Sequence, residues 1–264
     1  MYVALLSGKN IDMAKVEVNS ISNLYVEKTL VGRVLLFESD DSINFSKLGL
    51  THEGGIFLGK NIEDIDFNVF SDKNIKISVL NLKSELNSLL FSKKIGEFIF
   101  KKGLNVDFNS NNVLRVYLTV NGVYFTKQVF MQDKKEFAKR ASSKRKFFMP
   151  TSIDSMFARA LVNIAGAKKN VSVLDCFCGS GGLLLEAAVV GADVFGCDIE
   201  EKCVKGTEDN LEQFGFKVTA VTGDALDVDS VFDKKFDCVV TDLPFGKSSK
   251  IVESKKKLYS SFML

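Results

Sequence analysis

The chain has 264 residues, of which 46% are hydrophobic and 26% charged, as in a folded globular protein with room for two domains. This composition excludes a disordered or fibrous chain. The longest strongly apolar stretch, 183–190, is far shorter than the roughly 18 residues of a membrane span, and residues 1–10 lack the features of a secretory signal. We therefore expect a cytoplasmic protein with no membrane partner. All five cysteines lie in the second half without a CxxC pair or a nearby histidine, which favours buried thiols over a disulfide scaffold or a metal site.

Positive charge is concentrated in one stretch of the first half. Residues 1–146 carry 22 basic and 16 acidic side chains, whereas residues 147–264 carry 13 and 17. Within residues 93–146 alone, 13 basic side chains stand against four acidic ones. A charge run is usually a solvated surface, but so large an excess beside an acidic half indicates that the protein binds a polyanion.

The first part of the chain has the pattern of a small α+β protein. Tyr2 to Leu6 predicts a strand, Met13 to Ile21 a helix, and Leu24 to Phe37 strands with a turn at Gly32. After an acidic stretch, residues 75–80 predict another strand.

Three further features precede residue 147. Leucines at 82, 86, 89 and 90 have the spacing of one buried helical stripe. Residues 114–130 predict a hairpin in which Asn121-Gly122 supplies the two positive φ angles of a tight primed turn. Residues 133–146 are basic and nearly free of apolar side chains, and we expect them to form a linker.

From Phe148 the pattern changes to alternating helices and strands. A helix is expected within 151–165, and the elements that follow are strand 171–174, helix 182–190, strand 194–197, helix 203–214, and strands 218–222 and 236–240. Short apolar strands separated by helices are typical of a parallel sheet with helices on both faces. We expect the strand order 3-2-1-4.

A glycine-rich loop with the sequence DCFCGSGG, residues 175–182, joins the first of these strands to its helix. Glycines at such a junction let a ligand lie directly against the backbone. A nicotinamide or flavin nucleotide fits poorly, because Leu184 stands where GxGxxG needs its third glycine and Asp175 would oppose a pyrophosphate. S-adenosylmethionine, which has an ammonium, a sulfonium and no phosphate, suits the loop better.

Two more acids follow the next strands. Asp198 ends the second strand, 19 residues beyond Gly179, where a carboxylate can accept the hydroxyl groups of a ribose. Asp224 follows the third strand, where a carboxylate can accept the amino group of adenine. Either acid alone is more often a helix cap or a turn residue. Three strand-end acids at the carboxyl edge of one sheet favour a ligand site.

The fourth strand ends in TDLPFG, residues 241–246. This resembles the [DN]PP[YF] motif of amino-group methyltransferases, with Leu243 in place of the first proline, and the glycine loop is similar to their cofactor loop. In that family the acid or amide and the next backbone carbonyl accept hydrogen bonds from an exocyclic amine, and the aromatic ring stacks on the base. Such acceptors help a delocalised aryl amine become pyramidal as the methyl group arrives.

Nearly the whole chain resembles one family. A basic α+β first half, KFFMP at 146–150, RALVNIAG at 159–166 and TDLPFGKSS at 241–249 are similar to the archaeal THUMP-domain tRNA (guanine-N2)-methyltransferases of the position 10 type. The resemblance implies an α/β fold in which a Rossmann-like class I methyltransferase sheet follows an α+β half. That half would be a ferredoxin-like unit, 1–50, and a THUMP-like RNA-binding domain, 51–146, before a methyltransferase domain at 147–264. It also implies tRNA as the partner, held by phosphate and shape contacts.

The motifs and the resemblance together assign three sets of residues, and no metal. The residues expected to bind the cofactor S-adenosyl-L-methionine are Asp175, Phe177, Gly179, Gly181, Asp198, Ile199, Asp224 and Ala225. The residues expected to handle the reacting amine and its base are Asp242, Leu243, Pro244 and Phe245. The basic residues expected to bind tRNA are Lys134, Lys135, Lys139, Arg140, Lys144, Arg145 and Lys146.

Two alternatives stay open at this point. The same site could serve an adenine or glutamine amine, or the chain could be a non-catalytic tRNA-binding protein. The sheet of this methyltransferase class has three more strands after the fourth, and only residues 246–264 follow here. We therefore expect a C-terminal segment, or a separate polypeptide, to complete the sheet and close the pocket behind Phe245.

Overall fold

The computed structural model describes residues 1–244 and contains two compact units. Unit 1 comprises Met1–Ser46 and Leu50–Gln132; unit 2 comprises Lys47–Gly49 and the chain from Asp133 onwards. The threefold division at residues 50 and 146 stays a prediction. None of the helices found in residues 1–244 is long and apolar enough to cross a membrane.

Unit 1 is built on a single sheet. Its elements in chain order are β1 (Tyr2–Leu6), α1 (Ile11–Ser20), β2 (Val26–Val31), β3 (Val34–Glu38), β4 (Thr51–Gly59), β5 (Asn74–Leu82), α2 (Ser88–Lys101), β6 (Asn105–Val106), β7 (Val113–Thr119) and β8 (Gly122–Met131). The strands form one eight-stranded sheet in the order β2-β3-β1-β4-β8-β7-β5-β6. Strand β5 is parallel to both of its neighbours, and the other pairs are antiparallel.

The sequence pattern does not predict β4, because two adjacent glycines interrupt it. A Cβ on Gly54 would lie 2.4 Å from the ring of Phe45, and one on Gly55 would lie 2.4 Å from the carbonyl oxygen of Lys127. Only glycine fits at these two positions, because neighbouring parts of the chain lie too close for a side chain. Their presence lets β4 pair with both β1 and β8 and makes the sheet continuous.

The predicted leucine stripe is wrong. The side chain of Asn87 caps α2 by accepting the N–H groups of Leu89 and Leu90, each at 3.0 Å, so the first two leucines of the stripe lie before the helix. Leu89 is 80% exposed, and the buried side chains of α2 are Ile95 and Ile99. The cap decides where the helix begins and hence which face meets the sheet.

The predicted hairpin of β7 and β8 is confirmed, but its turn differs. Thr119 pairs with Gly122, so the loop is Val120-Asn121. Gly122 has a positive φ of 123°, whereas Asn121 does not have a positive φ. The hydroxyl of Thr119 accepts the N–H of Asn121 and donates to the carbonyl of Gly122, which stabilises the turn without a second positive φ.

Unit 2 is an α/β unit. Its elements in chain order are α3 (Lys134–Lys139), α4 (Ser155–Ile164), β9 (Ser172–Asp175), α5 (Gly182–Val189), β10 (Asp193–Asp198), α6 (Glu201–Gln213), β11 (Thr219–Thr222), α7 (Val228–Val231) and β12 (Cys238–Val239). The four strands form a parallel sheet in the order β11-β10-β9-β12, which confirms the predicted order 3-2-1-4.

Both faces of this sheet are covered. Val173 packs on one face in a cluster with α4 and α5, and Leu174 packs on the other with Cys197 and Phe232. Since parallel strands end together, the residues that follow them meet at one edge, which we call the carboxyl edge.

Residues 133–146 are not a linker. They form α3 and a short 3₁₀-helix, Ser142–Lys144, as part of unit 2. Two of their arginines, Arg140 and Arg145, are largely buried there. Arg140 donates from Nε to Oε1 of the fully buried Glu186 at 2.7 Å, and Arg159 donates from Nη2 to Oε2 at 2.6 Å. Arg145 is 5% exposed. Arg140 and Arg145 therefore pack inside unit 2 instead of facing solvent. The five lysines that are predicted with them to bind RNA are exposed.

We expect Glu186→Gln to lower the free energy of unfolding of unit 2 by about 3–5 kcal/mol, because it leaves buried guanidinium groups without a counter-charge. Denaturant unfolding measures this change. The control is Glu136→Gln, which removes only an exposed ion pair with Lys139 and should have little effect. Equal and small effects of the two variants would contradict the structural role of Glu186.

Candidate active site

The carboxyl edge of the unit 2 sheet brings three predicted acids together. Asp175 ends β9 and Asp198 ends β10, and Asp242 follows β12 by three residues. The sheet pairs β9 with both β10 and β12, and the charges of Asp198 and Asp242 both act on the carboxyl of Asp175. Strand order therefore assembles acids that are up to 67 positions apart in the sequence.

Asp175 lies at the centre of this group and is 1% exposed. Its Oδ1 accepts the hydroxyl of Thr241 at 2.6 Å and the N–H of Phe177 at 3.2 Å. Burial, with a smaller contribution from the negative charges of Asp198 and Asp242, raises the pKa of Asp175 to about 7, against the opposing effect of those two hydrogen bonds. A positively charged ligand at this edge would favour the ionised carboxylate.

Asp198 ties β10 to the glycine loop. Its Oδ2 accepts the N–H of Gly179 at 2.9 Å, and its Oδ1 accepts the N–H of Glu200 at 3.0 Å. Burial raises the pKa of Asp198, and these two hydrogen bonds oppose the shift. Each carboxylate oxygen can accept a second hydrogen bond. Asp198 could therefore accept the ribose hydroxyls expected here while it keeps its bonds to Gly179 and Glu200.

The glycine loop depends on left-handed backbone at two positions. Gly179 has a φ of 52° and Gly181 a φ of 72°. A Cβ on Gly181 would also lie 2.9 Å from Cγ2 of Thr207 on α6. The loop therefore lies directly on α6, and Thr207 donates from its hydroxyl to the carbonyl of Gly179 at 3.1 Å.

A buried amide on α6 joins the loop to the segment before α4, and sequence reasoning missed it. Asn210 accepts the N–H of Phe147 at 2.8 Å and donates to the carbonyls of Phe147, at 2.8 Å, and Ser180, at 2.9 Å. The sulfur of Met149 lies 3.6 Å from where a Cβ on Gly179 would be. The sequence does contain a signal for this amide. Thr207 and Asn210 lie at helical spacing between the apolar Val204 and Leu211, which indicates that these polar side chains are on the buried face of α6.

The remaining predicted cofactor residues lie near the same edge with differing exposure. Asp224 is exposed and caps a short 3₁₀-helix by accepting the N–H of Leu226 at 3.0 Å, and Ala225 behind it is buried. Ile199 is 56% exposed, and Phe177 is half-buried. Their contacts with a cofactor stay predictions.

The predicted amine-binding residues follow β12. Asp242 is exposed, although partial burial raises its pKa, and Leu243 and Pro244 are half-buried. Phe245, predicted to stack on the base, lies outside the described residues.

The thiols near the edge are free and mostly buried. Burial raises the pKa of Cys176 to about 12 and those of Cys197 and Cys203 to about 11. These groups are therefore uncharged near neutral pH, and they pack around the loop as small apolar side chains.

The sheet order, the glycine loop and the strand-end acids define a class I methyltransferase fold. Two solved structures share it: TrmN from Thermus thermophilus, at a TM-score of 0.51 and 18% identity, and a possible methylase from Clostridium difficile 630, at 0.53 and 18%. Each comparison covers 99% of this chain, with 83% and 84% of the respective structures. At this identity the likeness concerns the fold alone.

Sequence comparison narrows the class to a family. Residues 142–264 match the family model UPF0020, described as an RMKL-like methyltransferase domain. The tRNA (guanine(10)-N2)-dimethyltransferase of Pyrococcus abyssi is 32% identical over 98% of this chain and 82% of its own length. The protein of the same name from Methanothermobacter thermautotrophicus is 33% identical over 76% of this chain. The chain belongs to the tRNA (guanine(10)-N2)-dimethyltransferase family. Its matches span 60% of the Methanothermobacter relative and 58% of the one from Methanocaldococcus jannaschii.

Proposed function

We propose that the protein transfers a methyl group from S-adenosylmethionine to the exocyclic N2 amine of the guanosine at position 10 of tRNA. The observation that carries the proposal is the carboxyl edge of unit 2. There the buried Asp175 interacts with Asp198, which is hydrogen-bonded to the glycine loop, and with Asp242, which belongs to the segment predicted to bind the amine. Family membership supports the choice of base and RNA, since the relatives carry this activity in their names.

The residues present fit the cofactor. S-adenosylmethionine, when bound, supplies an electrophilic methyl group on a sulfonium centre. Asp175 is a buried carboxyl whose pKa is raised by burial, and the ammonium of the cofactor would be a suitable counter-charge for its ionised form. Asp198 would accept from the ribose, Asp224 from the adenine, and the left-handed Gly179 and Gly181 leave the loop without side chains.

Asp242 and the backbone carbonyl of Leu243 would accept the two N–H bonds of the guanine amine. The amine nitrogen would then direct its lone pair at the methyl group, and the proton that nitrogen loses after transfer would be released to solvent at the exposed Asp242. Stacking of the base on Phe245 remains a proposal from the sequence. Leu243 lacks the rigid ring of the usual proline, so other contacts must hold the backbone at this point.

The RNA partner would be recognised mainly by charge. The exposed lysines 134, 135, 139, 144 and 146 provide a basic surface on unit 2, and we propose that they contact tRNA phosphates. A cytoplasmic location is part of the same proposal, because tRNA is the substrate.

The test uses two tRNAs, assembled from synthetic halves, that differ only in guanosine or inosine at position 10. Inosine lacks the N2 amine and keeps the rest of the purine. We expect labelled methyl groups in the guanosine tRNA and only background in the inosine tRNA. Equal labelling would place the reaction at another base, and failure to label either tRNA while the cofactor binds by calorimetry would overturn the proposed activity.

A further inference from the structure

The backbone that carries Asp242 has an unusual attachment to the rest of the site. The N–H of Val240 donates to the carbonyl of Leu174 at 2.9 Å, which is the end of the backbone pairing between β12 and β9. Beyond that point the hydroxyl of Thr241 donates to Oδ1 of Asp175 at 2.6 Å. Within residues 1–244, neither Asp242 nor Leu243 makes a hydrogen bond, so the Thr241 side chain is the last hydrogen-bonded tie before the amine motif.

The acceptor of this bond is the carboxyl group assigned to the cofactor's ammonium. Asp175 is 1% exposed, and Thr241 directly precedes Asp242 in the chain. One hydroxyl therefore connects the cofactor end of the site with the amine end. A hydrogen bond to a carboxylate is stronger than one to a neutral carboxyl, so its strength depends on the charge of Asp175.

We propose that Thr241 is a positioning residue that couples the two ends of the site: its hydroxyl, bonded to the buried carboxyl of Asp175, fixes the backbone that presents Asp242 to the substrate amine. This inference rests on the proposed function. When the ammonium of the cofactor keeps Asp175 ionised, the Thr241 bond becomes fully charge-assisted and the Asp242 segment is held most firmly. The site is thereby completed for the amine after the cofactor has bound.

The groups that influence the titration of Asp175 are known from its surroundings. The charged groups are the carboxyls of Asp198 and Asp242, and the charge of Asp175 in turn acts on the thiols of Cys176, Cys178 and Cys197. Burial raises the pKa of all three thiols far above neutrality, so they stay protonated between pH 5.5 and 8.5, roughly the range in which Asp175 titrates. Asp175→Asn assigns the titration, because it should abolish the pH midpoint of cofactor affinity.

The experiment compares Thr241→Val, which keeps the shape and removes the hydroxyl, with Thr241→Ser, which restores the hydroxyl. Cofactor affinity is measured by calorimetry from pH 5.5 to 8.5, and kcat and KM for tRNA are measured at pH 8. The matched control is Thr219→Val, the same exchange at the exposed start of β11.

In Thr241→Val we expect the pH midpoint of cofactor affinity to rise by about one unit, because the ionised Asp175 loses a donor. We expect kcat to fall about tenfold with KM for tRNA nearly unchanged. Thr241→Ser should recover most of both effects, and Thr219→Val should show neither.

An unchanged midpoint in Thr241→Val would overturn the coupling, even if kcat fell, since Thr241 would then be only a loop residue. Failure of serine to rescue would do the same. A wild-type protein that binds the cofactor but methylates no tRNA would overturn the proposed function instead, and the midpoint, which is a binding measurement, would still decide the role of Thr241. If no cofactor binds at all, both proposals are wrong.

Discussion

Asp242→Ala is expected to lower kcat for tRNA methylation by ~100- to 1,000-fold while leaving the affinities for tRNA and cofactor nearly intact. The carboxylate is assigned to the reacting amine, and removing one such acceptor from a transition state typically costs that much. Asp242 is exposed three residues after β12 and makes no hydrogen bond within residues 1–244, so its loss should not disturb the described fold. Single-turnover methylation of the tRNA transcript measures the chemical step.

Asp242→Asn is the matched control for this variant. Asparagine keeps one acceptor oxygen in the same place, and the family motif admits either residue, so its rate should lie well above that of the alanine variant. The binding of tRNA and cofactor is measured in parallel by calorimetry. Near-normal turnover of Asp242→Ala would show that Asp242 is a loop residue and would refute its catalytic assignment.

Asp175→Asn is expected to weaken cofactor binding by about 10- to 100-fold and, at the same time, to stabilise the protein without cofactor at pH 8. The first effect follows from the loss of a charge-assisted hydrogen bond to the ammonium. The second follows from burial, because asparagine preserves the acceptor for Thr241 and Phe177 without placing a negative charge in an enclosed site.

The sign of the stability effect depends on pH. The pKa of Asp175 is about 7 in the folded protein and near its ordinary value of 3.8 when unfolded, so the folded state binds more protons between these values. Its stabilising contribution is complete below pH 3.8 and is lost as pH rises through about 7. Thermal unfolding should therefore show the variant more stable than wild type at pH 8 and show about half of that difference at pH 5.5.

Cofactor should reverse this order. At pH 8 it should raise the melting temperature of wild type strongly and that of Asp175→Asn only slightly. The control is Asp224→Asn, an exposed strand-end acid whose replacement should leave the stability without cofactor unchanged. A variant that binds cofactor as wild type does, or that is less stable than wild type at pH 8, would contradict the assignment of Asp175.

Some conclusions needed no structure because they depend on local chemistry. Alternating strand and helix patterns after residue 148 predict the parallel sheet, and its order 3-2-1-4 is confirmed. The hairpin of β7 and β8 is also predicted from alternation. Asp175 and Asp198 could be selected because each ends a predicted strand, and strand ends are readable from hydrophobicity. Asp242 is selected by the resemblance of residues 241–246 to a known motif.

The patterns failed where distant segments decide the outcome. The α2 leucines have a helical spacing, but the Asn87 cap places the helix start after two of them and the sheet buries Ile95 and Ile99 instead. The polar composition of residues 133–146 predicts a linker, but the guanidinium of Arg140 in this segment pairs with the buried Glu186, which lies 46 positions further along the chain. Charge composition does not reveal whether an arginine faces solvent or a buried carboxylate.

The sequence by itself determined the class of fold, the family and the identity of the acids at the carboxyl edge. Only the tertiary structure decided how these acids act on one another. The raised pKa of Asp175 depends on burial and on the charges of Asp198 and Asp242. The hydrogen bonds of Thr241 and Asn210 join residues 30 to 66 positions apart in the sequence. Strand pairing brings these residues together and burial removes water from them. Neither effect can be read from a local pattern of residues, because both depend on which distant segments pack against each other.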